Sequence, residues 1–354
     1  MLSGGAANVD YGKSKIIKPI TVYLFGKATT KGLKGEKIDI QRIFKDSVNT
    51  IFRKVFLTQK EILKFIKYEI DINEGVGKEY PKSYYLPRSL HGFIKIKSNR
   101  TSNDTVMVVG SFPHTQTEIL AIDIENYINS SLFKKEFPET GFDVKVLIAK
   151  INKRFDITIC IPFIAKRTPS FFYYSVKKEL IQKKLIKYIK RKGINNFLLK
   201  INTKDRGKFG YLTVFGTALD KGDFGTVGRG NKYSGTIPLV GPSNIEAPCG
   251  KNPTHHAGKI YTILAYDIAY DIFNYTRNKS QVFITTRNGD PIEKPANIII
   301  EIFSDNQIGE KKEIVQKIIN KRLNLIKTGR YTKAIINSDV LQNFKNRKIP
   351  LISI

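Results

Sequence analysis

The chain has 354 residues, with 60 Lys and Arg against 31 Asp and Glu, a formal net charge of +29 at pH 7. Apolar residues make up 41% and aromatics 11%, enough for a hydrophobic core, and the length suits two or three packed units. Two cysteines, Cys160 and Cys249, exclude a disulfide framework and a cysteine-based zinc site; the start has no signal-peptide pattern and no apolar run is long enough to cross a bilayer, so a soluble cytoplasmic protein is expected.

In chain order, the start is Gly-rich and polar, and "PITVYLF" (19–25) is a β-branched and aromatic run that predicts a strand. Residues 39–56 carry Ile43, Phe44, Val48, Ile51, Phe52 and Val55 at helical spacing. "IKYEIDI" (66–72) alternates as a strand does, "VGKEYPKSYYLPRSLHG" is a Pro- and Gly-punctuated loop, and "TVMVVGSF" is another strand. Residues 115–133 predict one helix, opened by a capping box of Thr115 and Glu118. A hairpin follows over 143–164, then an amphipathic helix over 175–193 that ends at a glycine. "FLLKIN" and "YLTVFGT" are strands, 255–276 is a helix, and "QVFITTRNGDPI" holds a strand and an Asn-Gly turn. "NIIIEIF" is a strand and "KKEIVQKIINKRL" a helix. Strand or hairpin, helix, strand thus recurs three times, which predicts three α+β units, each a sheet backed by helices. The expected boundaries are 1–98, 99–215 and 216–354.

The charge calls for anionic partners: nucleic acid, a phosphate-bearing small molecule or an acidic surface. The alternative is a lysine-rich surface with no such partner. Helix-turn-helix, zinc-finger and RNP-type aromatic motifs are absent from the sequence, so nucleic acid is the least supported partner. "ANVDYGKS" (7–14) nearly fits a phosphate-binding loop, but it precedes a strand where that motif must open a helix. The four histidines, His91, His114, His255 and His256, do not form a metal-binding pattern such as HExxH.

About forty residues, beginning "GDFGTVGRGN" at 222 and running to the helix at 255, show almost no periodicity. A segment of that length between clean elements is usually functional. Its glycines at 222, 225, 228 and 230 let a backbone approach a ligand and offer N–H groups to it. Arg229 offers a planar fork for phosphate, Lys251 and Lys259 add point charges, and the following helix start favours an anion. Asp223 and Glu246 suit either a substrate ammonium or a shared divalent metal. The chemistry reads as a polyphosphate site, with a purely structural loop as the alternative.

This segment resembles the archaeal-type S-adenosylmethionine synthetases (methionine adenosyltransferases). The resemblance rests on "GDFGTVGRGN" at 222–231 and "GKNPTHHAGKIY" at 250–261, joined by Glu246–Ala247. It extends over "KPITVYLFGKAT" (18–29), "SNDT" (102–105) with "VGSFP" and "TQTE", "FKKEFPETGFDVKV" (133–146) and "NGDPIEKP" (288–295). It implies an α+β fold of three related units around a pseudo-threefold axis, and a homodimer with active sites between subunits. It also implies attack by methionine sulfur on C5′ of ATP, with Mg²⁺ and K⁺ as cofactors. By the same resemblance Asp223 lies near the methionine ammonium, Arg229 binds phosphate, and Asp104 lines the nucleoside and methionine pocket. Lys251 and Lys259 approach the triphosphate. Gly225, Gly228, Asn231, Asn252 and His256 belong to the substrate-binding set, and Glu246 is the candidate metal ligand.

The family pattern is departed from at several points. Gly241 stands where an arginine is expected, and Lys232 replaces another. The family's Gly-His-Pro-Asp segment has no counterpart, since no His-Pro dipeptide occurs in the sequence. The first unit is therefore expected to be incomplete, and the chain alone to show weak synthetase activity or none. Three expectations follow: a reading frame whose start is set too late, a separate polypeptide that supplies the motif, or an inactive, nucleotide-binding relative.

Overall fold

The computed structural model describes residues 1–32, 34–56, 60–73, 100–226, 232–238, 241–244, 246–304 and 312–337. The polar start is more ordered than its composition suggests. Strand β1 (Leu2–Ser3) is followed by a hairpin, β2 (Ala6–Asp10) with β3 (Lys13–Lys18), so the stretch that nearly fits a phosphate loop is a β-turn region. Strand β4 (Ile20–Lys27) leads to helix α1 (Ile40–Val55), whose start is capped by Asp39 accepting from the Arg42 N–H at 2.9 Å. Of its apolar positions, Val48 and Phe52 are buried, while Ile43, Ile51 and Val55 are exposed.

Strands β5 (Ile66–Asn73) and β6 (Val106–Phe112) fall where the sequence predicts them. The predicted capping box forms at the start of helix α2 (Gln116–Ile128). Thr115 N–H donates to the Glu118 carboxylate at 2.9 Å, and Glu118 N–H donates to Thr115 Oγ1 at 3.3 Å. The single helix expected to reach residue 133 stops at Ile128. Ser130 then caps a new one, α3 (Ser131–Glu136), by accepting from Phe133 N–H. A serine that can cap competes with helix continuation, because its side chain satisfies a fresh set of N–H groups.

The hairpin is β7 (Lys145–Ile151) with β8 (Arg154–Cys160), followed by a short β9 (Phe163–Ile164). Helix α4 (Phe171–Arg191) starts four residues before the predicted 175, because Ser170 caps it through Tyr173 N–H at 3.1 Å. After β10 (Phe197–Ile201), the predicted strand over 211–217 shortens to β11 (Leu212–Thr213). The buried Asp220 carboxylate takes the N–H groups of Val214 at 2.5 Å and Phe215 at 3.1 Å, which curls the chain away from a ladder. The start of the irregular stretch contains β12 (Phe224–Gly225), which pairs with β1. Helix α5 (Ala257–Thr276), strands β13 (Lys279–Thr286) and β14 (Asn297–Phe303), and helices α6 (Lys312–Lys327) and α7 (Arg330–Asn337) complete the described elements. Strands β1, β2, β3 and β12 and helix α7 have no counterpart in the predicted pattern.

The chain divides into two compact units, Met1–Leu90 with Asp123–Thr226, and His91–Ile122 with Val227–Ile354. In the first, one sheet has the order β12-β1-β4-β5 and another β10-β8-β7. Its core includes Ile20 and Val22 of β4 against Val48 and Phe52 of α1. In the second unit a β14-β13-β6 sheet lies against α5, most of whose residues are buried. Sheet and helix approach closely at Gly110, where a Cβ would collide with the Ala265 and Tyr266 backbone. Each fully buried Ile or Leu of this core, such as Ile268 or Leu264, contributes about 1.5–3 kcal/mol. The fold is α+β, as the sequence predicts. Among the described residues, no helix is long and apolar enough to cross a membrane.

Candidate functional site

Within the second unit, the start of α5 gathers several of the predicted site residues. His256 occupies the N-cap position but makes no side-chain cap bond. The cap comes from another segment: Asn103 Oδ1 accepts the Ala257 N–H at 3.0 Å, and Asn103 N–H donates to the His255 carbonyl at 3.3 Å. Asp104 follows directly, in a turn where Ser102 Oγ donates to the Asp104 carbonyl at 2.7 Å and Asp104 Oδ1 accepts the Thr105 N–H at 2.8 Å. The Asp104 loop and the α5 start are thus tied together.

From the other side comes the loop 246–254. Lys251 Nζ donates to Glu246 Oε2 at 2.6 Å, with the two side chains 25% and 28% exposed. The Glu246 carboxylate lies over Gly258 in the first turn of α5, where a Cβ would collide with it. The glycine of "GKIY" is therefore needed for this close approach. Asn252 spends its side chain on its own turn, its Oδ1 accepting the Thr254 N–H at 2.7 Å. A further anchor is Asn244, a buried residue that grips β6 by donating to the Val109 carbonyl at 2.6 Å and accepting the Val109 N–H at 2.5 Å.

Electrostatics favour a negative ligand here. The helix start carries partial positive charge. Burial pulls the Lys259 ammonium below its ordinary pKa, against a small opposing pull from Cys249. An incoming anion would pull it back up. Burial, then the Lys251 charge, holds the His256 imidazole down, with Glu246 and Asp104 opposing. Its Nδ1 is buried without a hydrogen-bond partner. Beside Asp104, Thr105, Met107, Thr285, Arg287 and Asn297 are among the residues lining an open groove of about 330 Å³.

The structure brings Asp104, Glu246, Lys251, Asn252, His256 and Lys259 to this one helix start in the second unit. Asp223 and Gly225 belong to the first unit, where Asp223 pairs with Lys145 at 3.5 Å and Gly225 pairs with Leu2 in the β12–β1 ladder. Gly228, Arg229 and Asn231 lie outside the described residues, as does His91. Sequence reasoning missed Asn103 and Asn244. Asn103 sits beside the flagged Asp104 in "SNDT", which was signal enough. Asn244 works through a residue 135 positions away, which no local pattern reveals.

The family model for S-adenosylmethionine synthetase (AdoMet synthetase) matches residues 1–339. The chain belongs to that family. It is 34% identical over 309 residues to the S-adenosylmethionine synthase of Methanococcus vannielii, covering 86% of this chain and 75% of that protein. With the S-adenosylmethionine synthase of Picrophilus torridus it shares 31% over 316 residues, 87% of this chain and 74% of the relative. Among solved structures it is similar to an unusual S-adenosylmethionine synthetase from Campylobacter jejuni. The TM-score is 0.59 at 13% identity, over 98% of this chain and 85% of that one, a likeness of fold alone.

Proposed function

We propose that this chain is an S-adenosylmethionine synthetase, which converts ATP, L-methionine and water to S-adenosylmethionine, phosphate and pyrophosphate. The observation that carries the reading is the convergence of Lys251, Lys259, Glu246, His256 and Asp104 on one anion-favouring helix start, in a chain of this family. The methionine sulfur lone pair forms a bond to C5′, and the C5′–O bond breaks with its electrons passing to the triphosphate. Fixed cations are needed where that charge gathers, and Lys251 and Lys259 supply them here. By the family resemblance Arg229 is assigned to the phosphates, and Gly225, Gly228 and Asn231 to the substrate-binding set. Asp104 and Asp223 are assigned to the methionine and nucleoside polar groups, and Asn252 to the loop that carries Lys251. The unpartnered Nδ1 of His256 offers one more polar contact.

Among the described residues, no group of three His, Cys, Asp or Glu could hold a metal ion. Mg²⁺ enters the proposal through the family and would be shared with the phosphates, as suits an ion that keeps few protein ligands. Glu246 would hold it from the protein side, and when bound it neutralises charge on the leaving group. K⁺ enters the proposal through the family alone.

A homodimer in the cytoplasm is part of the same reading. Its support is apolar surface on sheet strands, with Met107 70%, Ile299 55% and Phe303 52% exposed in the second unit. The test is to incubate the protein with ATP, methionine, Mg²⁺ and K⁺, with and without a polypeptide carrying Gly-His-Pro-Asp, and to quantify S-adenosylmethionine. Product in either arm supports the synthetase. ATP-dependent thermal stabilisation with no product in both arms replaces it with a nucleotide-binding subunit, and absence of both effects overturns the reading.

A further inference from the structure

Strand β6 ends the β14-β13-β6 sheet, and among the described residues no strand pairs with its outer side. Along such an edge, alternate residues turn their backbone N–H and carbonyl away from the sheet. At Val109 both groups are taken by one side chain. Asn244 Oδ1 accepts the Val109 N–H at 2.5 Å, and its Nδ2 donates to the Val109 carbonyl at 2.6 Å. The planar amide stands in for one residue of a missing neighbour strand. Asn244 is 5% exposed, so water does not replace these bonds. The strand it grips is itself fixed against α5, because Gly110 lies on the Ala265 and Tyr266 backbone. Glu246 follows two positions after Asn244, within about 7 Å by covalent reach. Its carboxylate stands over Gly258 and accepts Lys251 Nζ at 2.6 Å. The segment rejoins the helix where His256 N–H donates to the Asn252 carbonyl at 3.3 Å.

We propose that Asn244 is a positioning residue for the Glu246–Lys251 pair: by pinning its segment to the edge of β6 it sets where the Lys251 ammonium stands at the start of α5. The inference rests on the synthetase reading, in which Lys251 faces the triphosphate. Two bonds from one planar group fix direction as well as distance, which a single bond does not. Both are buried, so removing the amide leaves the Val109 groups unpaired and favours a displaced segment. Lys251 follows any such displacement, because its described ion pair is with Glu246.

The test uses Asn244→Ala, which removes the amide, and Asn244→Gln, which keeps it on a stem one methylene longer and so shifts the segment without deleting the bonding groups. Each is also combined with Lys251→Ala. Two readouts are taken: the rate of Lys251 acetylation by acetic anhydride, relative to the exposed Lys15, and the dissociation constant of ATP. Asn244→Ala is expected to speed Lys251 acetylation several-fold and to weaken ATP about tenfold, with Asn244→Gln changing both in the same direction by less. On the Lys251→Ala background neither substitution is expected to weaken ATP further, since the effect passes through that ammonium. If Asn244→Ala does not fold, Asn244→Gln decides by the same readouts. Unchanged acetylation overturns the positioning role. So does a loss of ATP affinity that adds in full to that of Lys251→Ala, which is what a merely structural role gives. A wild type that binds no ATP overturns the synthetase reading instead, and acetylation then decides the positioning alone.

Discussion

Two charge pairs, one on the body of α5 and one beside its start, are built from the same chemistry and do different things. Near its far half, Arg322 reaches Asp271 with two parallel bonds, at 2.7 and 2.9 Å, and Asp267 at 3.4 Å, while Tyr331 hydroxyl donates to Asp267 at 2.6 Å. Arg322 is 7% and Asp267 0% exposed. At the helix start, Lys251 and Glu246 keep about a quarter of their surface open. The enclosed pair joins α5 to α6 and α7 and belongs to the frame. The half-open pair uses one of the three Lys251 N–H donors on Glu246, so it can exchange partners with a ligand at modest cost. The degree of enclosure, more than the identity of the charges, separates scaffold from site.

The strongest way to break this contrast is Arg322→Ala. It takes the cation away from Asp267 and Asp271 and is expected to destabilise the protein by about 3–5 kcal/mol, measured by urea unfolding; a loss below about 1 kcal/mol would make the two pairs equivalent. Next is Lys134, a half-buried lysine of the first unit whose Nζ donates to Thr140 Oγ1 at 3.1 Å and to the Gly141 carbonyl at 2.5 Å. Burial, opposed by Glu139, pulls it down to about 7. The unfolded lysine keeps its proton up to the ordinary lysine value of 10.5, so folding stability rises with pH between about 7 and 10.5. Relative to Lys134→Met, the wild type is expected to gain roughly 3 kcal/mol across that window, read from urea midpoints at each end.

Lys251→Ala is smaller still in stability, a loss below about 1 kcal/mol, yet it is expected to weaken ATP binding about tenfold by calorimetry. A large unfolding effect with unchanged ATP affinity would move this pair into the scaffold class. The mildest probe is chemical. Cys249 is exposed and close enough to Lys259 to act on it, whereas burial pushes the Cys160 thiol up. A disulfide reagent should therefore label Cys249 first, and ATP should slow that labelling several-fold.

Much of the fold was legible because periodicity and caps are local. The Thr115–Glu118 box and the helix at residues 39–56 rest on residues a few positions apart. Where a short-range competitor intervenes, pattern fails. Ser130 splits a helix that hydrophobic spacing alone would run on, and Asp220 curls a β-branched run into a turn. The site was legible as a list of charged residues around glycines. Its assembly was not, because it depends on amides that act at long range: Asn103 on Ala257 and Asn244 on Val109.

Gly258 gives mutational genetics an unusual handle on this chain. Alanine there would push aside the flexible tip of Glu246, and with it the bond to Lys251, without deleting either charge. Such an allele should be suppressed by shortening residue 246. A reversion screen started from Gly258→Ala would then map, codon by codon, which neighbours share the confined space.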